Sequence, residues 1–431
     1  MPATPVKPRS PVSARTGAGS PAAASSGRGS TPNAVPNAIM LPLVLFPIPL
    51  RVVGWSLAVS VLTLTVAFDT AGAQPLRGEP VVLGDGRVTV SGDVSASVSC
   101  AWAPRLSGCS EDLGYFNYGD YDDNLLRLFR VNVSASVKAS RRVSVLTELR
   151  SDNLRHPEPY ALYVRVRPWV DRQFDIQAGR IPPSFGAFSR RPYPTDNLLI
   201  GYPLAYQYLT SLRPDALPAD ADELLRMRGR GWLASYSIGE LQPDAGLPLF
   251  NGLAWDTGVQ AHAATDRLDA AISVTTGTLT RPRVREDNDG KQWSGRVGVQ
   301  PVTGLVAGVS AARGPFVSRS AAEAAGLLPG GEPGTQAAWG ADLEYSRGYY
   351  LVRAEAIVST FRLPRSGEPS LDVPLRAVAG SLEGRYRVRP GLYAAARFDR
   401  LTFNEVAGSG GRSTWEAPLW RVEAGMGYSL Q

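Results

Sequence analysis

Two histidines and two cysteines in 431 positions leave this chain few of the residues that most often carry acid–base, nucleophilic or metal chemistry. His156 falls in a polar stretch and His262 in an alternating one. A hydrolase triad needs a histidine beside a nucleophile, with an acid to orient it. His262 is the one candidate, and no Gly-x-Ser-x-Gly elbow accompanies it. A phosphate-binding loop, a dinucleotide fingerprint and a cluster of metal ligands are all missing, so no cofactor or metal is expected. The glycine-rich run Ala407–Arg412 lies between strand-like segments and opens no helix, which makes it a loop tip. What remains for chemistry is charge, above all arginine.

Those charges recur at alternate positions. Phe129, Val131, Val133, Ala135 and Val137 alternate with Arg130, Asn132, Ser134, Ser136 and Lys138. The polar face so defined carries Arg130, Glu148, Arg150, Arg165, Arg167, Asp256, Arg296, Arg353, Glu355, Glu383, Arg385, Arg387, Arg397, Asp399, Arg421 and Glu423. Facing a watered lumen, rings of opposite charge set a transverse field and select permeant ions. The plainer reading is a structural network in which they neutralise one another. Taken together, the two readings give weak anion preference at most.

The elements that would position these side chains are strands of period two. About 14 such segments follow Gln74, each near the ~9–11 residues that a tilted membrane strand needs. Tight turns are expected at 139–142, 170–172, 265–266, 303–304, 347–348 and 390–391, and long polar loops at 100–124, 151–159, 184–251, 281–290, 314–335, 363–372 and 404–414. Short turns alternating with long loops are the layout of an outer-membrane barrel. Aromatics near strand ends (Trp169, Trp255, Trp293, Tyr349, Tyr350, Trp415 and Trp420) suit an interfacial girdle. The expected fold is therefore all-β: a transmembrane antiparallel up-and-down barrel of about 14–16 strands. A soluble β-sandwich also alternates, but it has no place for a charged inner face. The last segment ends on Ser429-Leu430-Gln431 without a terminal aromatic, and a 16-strand barrel lacking its final hairpin is the expectation.

Residues 1–73 read as a low-complexity leader plus signal peptide. After a Pro/Ala/Ser/Gly-rich run come Arg51, an apolar stretch from Val52 to Ala67, and the small-x-small site Ala71-Gly72-Ala73. Pro42, Pro47, Pro49 and Arg51 interrupt the longer apolar run, which argues against a membrane anchor. Cleavage after Ala73 leaves 74–431 as the barrel. The leader holds Lys7, Arg9, Arg15, Arg28 and Arg51 against Asp69, so the mature part keeps only +2 of the formal +6. That balance gives no electrostatic case for nucleic acid. Export is also oxidising, so Cys100 and Cys109 are expected to close the first external loop by a disulfide, and with no histidine nearby zinc is disfavoured.

The stretch Phe174-Asp-Ile-Gln-Ala-Gly-Arg-Ile-Pro-Pro-Ser-Phe-Gly186 resembles a strand and exit loop of porins similar to the phosphate-selective O/P family. The resemblance implies an outer-membrane diffusion channel that can assemble as a homotrimer. That family's sites use clustered lysines where this loop has arginines, so phosphate selectivity is not carried over. Independently of the family, Pro182-Pro183 cannot donate to a ladder, so the chain must leave the sheet there. The connection that follows, 184–251, is too apolar to sit in water, and folding it into the barrel mouth buries it. Within it, 218–229 reads as a short helix capped by Asp220, with Glu223 completing a capping box and Gly229 ending it. Arg226, Arg228 and Arg230 at its end could line a constriction, or could simply be solvated and compensate the helix dipole.

The expectation is an outer-membrane channel of a Gram-negative-type bacterium, with the lipid bilayer and small hydrophilic solutes or ions as partners. A non-conducting adhesion or assembly scaffold is the main alternative, and an outer-membrane hydrolase using His262 is the less favoured one.

Overall fold

The computed structural model describes residues 80–98 and 126–428, except 153, 155, 192–195, 200, 252–254, 285, 289, 327–333 and 365–366. Six strands come first: β1 (Val81–Leu83), β2 (Val88–Val98), β3 (Leu126–Lys138), β4 (Val143–Asp152), β5 (Glu158–Val166) and β6 (Phe174–Ile181). A long insertion follows, with two short strands of its own, β7 (Ala216–Leu217) and β8 (Ile238–Gly239). The meander resumes in β9 (Asp256–Ala264), β10 (Leu268–Thr275), β11 (Gln292–Val302) and β12 (Leu305–Pro315). It continues through β13 (Thr335–Arg347), β14 (Tyr350–Arg362), β15 (Leu375–Arg389) and β16 (Leu392–Phe403). A hairpin of β17 (Glu405–Gly408) and β18 (Gly411–Thr414) precedes β19 (Leu419–Tyr428).

Fifteen of these strands form one antiparallel sheet in chain order from β1 to β19, leaving out β7, β8, β17 and β18. β6 pairs directly with β9, from Phe174↔Ala263 to Ile181↔Asp256, so the insertion leaves the sheet without interrupting its ladder. The tight turns fall within one residue of where the sequence places them, except that the one expected at 170–172 widens to residues 167–173 between β5 and β6. Gly304 and Gly391 take φ of +86° and +80°, the left-handed geometry that two-residue hairpin turns require.

The two faces of the sheet invert the order of a soluble protein. Trp339 is 67% exposed and Met426 71%, whereas Arg130 is 4% exposed and Arg397 2%. Exposed apolar side chains on every long strand make an outer belt that water would penalise by roughly 25 cal/mol per Å². The fold is thus an up-and-down antiparallel barrel wall, apolar outside and polar within. The last strand holds the insertion, since the Tyr202 carbonyl accepts from Arg421 of β19.

Candidate functional site

The site is the lumen and the insertion that occupies it. After Pro182-Pro183 the chain turns inward, and each residue of the next segment has a partner. The Ser184 hydroxyl lies 2.7 Å from those of Ser273 and Ser294. Phe185 is fully buried and stacks on Phe250 with centroids 5.3 Å apart. The Gly186 N–H donates to Ser310 Oγ (3.1 Å), and the Ala187 N–H to Glu355 Oε1 (2.7 Å). Gly186 has φ +77°, and a Cβ there would stand 2.7 Å from the Tyr206 hydroxyl and 3.1 Å from Glu355 Oε1. Only glycine fits both demands.

Further along, the insertion builds its own core. Leu204, Tyr206, Leu212, Leu217, Leu224 and Tyr236 pack with the inward residues Ile357, Phe361, Leu375, Leu401 and Phe403 at the long-loop end of the wall. Trp415 belongs to this core rather than to the outer girdle. It is fully buried, edge-on to Phe403 at 4.8 Å, and its indole donates to the Arg376 carbonyl. The reason is that residues 415–418 bend inward between β18 and β19. Among the other expected girdle residues, Trp169, Trp293, Tyr349 and Tyr350 are exposed on the outside.

On the inner wall the charges form rows across neighbouring strands. One runs in register Glu344↔Arg353↔Glu383↔Arg397↔Glu423, alternating in sign over β13, β14, β15, β16 and β19. Its ion pairs include Arg353–Glu344 at 2.8 Å and Arg397–Glu383 at 3.2 Å, with Arg397–Glu423 closer still. Arg421 pairs with Asp399 (2.9 Å) and donates to Gln207 of the insertion. Opposite charges directly across a ladder stabilise the pairing, and buried arginines are tolerated only when so paired. A second network joins Arg130 to Asp152 at 2.7 Å and runs from Glu148 through Arg150 and Asn132 to Asp93.

Arg296 of β11 reaches across β12 to Asp342 on β13, at 2.5 Å. It lies flat over Gly298 and Gly308, whose missing side chains make its bed. Glu355 turns to the insertion, accepting from the Tyr206 hydroxyl at 2.8 Å. Asp256 accepts backbone N–H groups of Thr257, Gly277 and Arg283 and so ties down the β10–β11 loop. Arg165 stands in register between Ser144 and Gln177, and Arg385 lies 5.8 Å from the Tyr393 ring centre. Arg167 and Arg387 are exposed near the short-turn end.

The insertion is also pinned from above. Glu416, fully buried between β18 and β19, accepts the N–H groups of Ser211 and Ala417 at 2.8 Å each and that of Gly229 at 2.5 Å. Burial pushes its carboxyl above the usual range, while the three N–H groups favour the ionised form. Arg213, with its side chain sealed from water, donates to Asp215 and to the carbonyls of Ala234 and Gln242.

The expected helix spans Ala221–Arg226, with Asp220 Oδ1 accepting the Glu223 N–H. Glu223 closes the box one residue earlier than expected, on the Ala219 N–H. Asp222 holds the tip of the β17–β18 hairpin through Ser409, and those hydrogen bonds keep its carboxyl below the usual range. Of the three helix-end arginines, Arg226 pairs with Glu223, Arg228 donates to Ser413 of the same hairpin, and Arg230 is exposed. Cys100 and Cys109 lie outside the described residues.

No family model matches the chain, and no curated protein matches its sequence. Among solved structures it is similar to Salmonella typhi OmpF in complex with daunomycin: 9% identical, covering 81% of this chain and 89% of that one, TM-score 0.46. A porin is 12% identical over 80% and 90% of the two chains, TM-score 0.41. OmpT of Vibrio cholerae, expressed in the outer membrane, is 9% identical over 81% and 99%, TM-score 0.36.

Two arginines that the sequence does not single out matter to this site. Arg190 pairs with Asp269 of β10 at 2.9 Å, and Arg191 faces Glu344 of the alternating row at 3.7 Å, so the inner segment of the insertion is held from two sides of the wall. Their signal is an Arg-Arg pair soon after the Pro-Pro exit. His262 lies between two carboxylates, with Nε2 2.8 Å from Asp269 and Nδ1 3.7 Å from Asp175. Both ring nitrogens thus face acids, which leaves neither for a serine. At the short-turn end, Arg87, Arg141, Arg142, Arg172, Arg267 and Arg347 are all exposed; the turn acids are Asp85, Asp171 and Asp266, and Asp175 and Asp269 stand one residue inside β6 and β10, facing His262.

Proposed function

We propose that the chain is an outer-membrane channel for passive diffusion of small hydrophilic solutes, weakly anion-selective and set in the bilayer as a homotrimer. In this reading residues 1–73 are removed on export, and 74–431 form the barrel. The observation that carries the reading is the inverted surface, with Trp339 and Met426 exposed outside and Arg130 and Arg397 buried inside. An apolar exterior around an ionic interior suits a cylinder in lipid. The lining charges named above are its selectivity elements, and the insertion narrows the passage. The resemblance of Phe174–Gly186 to the O/P porins points the same way.

Purified protein added to a planar bilayer should give discrete steps of current proportional to voltage at high salt. A second reading has its own support, since the apolar core of the insertion fills part of the long-loop half of the lumen. Inserted protein that carries no current would establish that reading, a non-conducting scaffold, in place of the channel.

A further inference from the structure

We propose that the short-turn mouth gathers anions and makes the channel rectify. The inference rests on the channel reading and adds where the selectivity resides and in which direction it acts.

At the waist fixed charge largely cancels, because Arg353, Arg397 and Arg421 each meet carboxylates of neighbouring strands. Toward the short turns the balance changes. Lys138 shares the inward face of β3 with Arg130 and Asn132 and ends that strand exposed. Arg165 and Arg387 lie on inward faces, and Arg167 continues that of β5, its N–H bonded to the Arg142 carbonyl at 2.7 Å. Among the described residues none of Lys138, Arg167 and Arg387 forms an ion pair; the turns around them hold six arginines against Asp85, Asp171 and Asp266, and the nearby Asp175 and Asp269 are taken up by His262 and Arg190. The lumen is therefore a neutral waist in series with a positive mouth.

Such a series does not conduct equally in both directions. A positive mouth raises the local anion concentration and repels cations. When the field drives anions from that mouth into the waist, cations moving the other way are held back at the junction, both ions accumulate, and conductance rises. The opposite field depletes the junction. The asymmetry depends on screening: the charge acts over about 10 Å at 0.1 M salt but only about 3 Å at 1 M. The favoured solutes are small inorganic and organic anions entering from the short-turn side.

The test is single-channel recording in about 0.1 M and about 1 M KCl, with reversal potentials in a KCl gradient applied each way. The variants are Lys138→Gln/Arg167→Gln/Arg387→Gln and, at the far end, Arg412→Gln. The wild type should pass unequal currents at opposite voltages in low salt and equal ones in high salt. The triple variant should lose the asymmetry and lower the chloride-over-potassium permeability ratio by about twofold or more. Arg412→Gln should keep both properties. Equal wild-type currents in low salt, or a triple variant that still rectifies, would overturn the inference while leaving a channel. Complete absence of current would overturn the channel reading itself, and the inference with it.

Discussion

Replacing Glu416 by alanine should unseat the insertion while leaving the wall intact. The Glu416 carboxylate holds two insertion amides, Ser211 N–H at 2.8 Å and Gly229 N–H at 2.5 Å, in a place without water access. A buried N–H left without an acceptor costs about 1–3 kcal/mol, and a hydrogen bond to a charged group is worth about 1.5–3 kcal/mol. Two such amides put the loss at about 3–6 kcal/mol if the insertion stays in place. Its apolar core would resist part of this, so local opening rather than global unfolding is the expected response. At about 1.4 kcal/mol per decade, protection of the Ser211 and Gly229 amides against hydrogen exchange should fall by about 10²–10⁴. Glu416→Gln keeps one acceptor oxygen and should lie between. In bilayers the alanine variant should show larger or noisier current steps. Unchanged exchange at Ser211 and Gly229 in Glu416→Ala would refute the claim that this carboxylate is the upper anchor.

Other perturbations test other joints. Gly308→Val places a side chain where the Arg296 guanidinium lies, so its pair with Asp342 should break, at a cost of about 3–5 kcal/mol measured as a lower urea midpoint in detergent. Phe185→Ala empties the root of the insertion and should cost about 3–5 kcal/mol by the same assay, with no change in β content. The Asp222–Ser409 contact should respond to acid. Its carboxyl sits below the unfolded value of 3.8, so the contact is present at neutral pH and is lost as pH falls through the lowered value. Exchange at the Ser409 amide should therefore rise only below the usual carboxylate range, and Asp222→Asn should abolish that pH dependence.

The strands were legible because alternation survives in them: Arg130 and Asn132 are inward and Val131 and Val133 outward, as their spacing requires. Pairing across tight turns depends on placing the turn to the residue. The turn expected at 347–348 falls at 348–349, and only that one-residue shift gives Arg347↔Tyr350 and, counting back, Glu344↔Arg353. Pairing across long loops was not legible at all. Arg353↔Glu383 and Arg397↔Glu423 join strands whose connections are too long and irregular to set a register. The same limit hid the roles of Arg190, Arg191 and Trp415, which lie outside regular alternation. Their positions are decided by where the insertion packs, and the local pattern does not carry that information.

One hairpin shows why the insertion and the wall require each other. The register that pairs Glu344 with Arg353 also sets Asp342 directly opposite Glu355, two carboxylates facing each other across a ladder. Left alone, such a pair opposes strand formation. Each acid is relieved from a different side. Asp342 takes the guanidinium of Arg296, which can cross β12 only because position 308 has no side chain. Glu355 takes the Ala187 N–H and the Tyr206 hydroxyl, both supplied by the insertion. Without the insertion Glu355 would face Asp342 unsatisfied, and without Glu355 the inner segment would lose its first charged anchor after the Pro-Pro exit. The cost of seating two acids in one register is thus met by partners from outside that hairpin, and this ties the narrowing of the lumen to the stability of its wall.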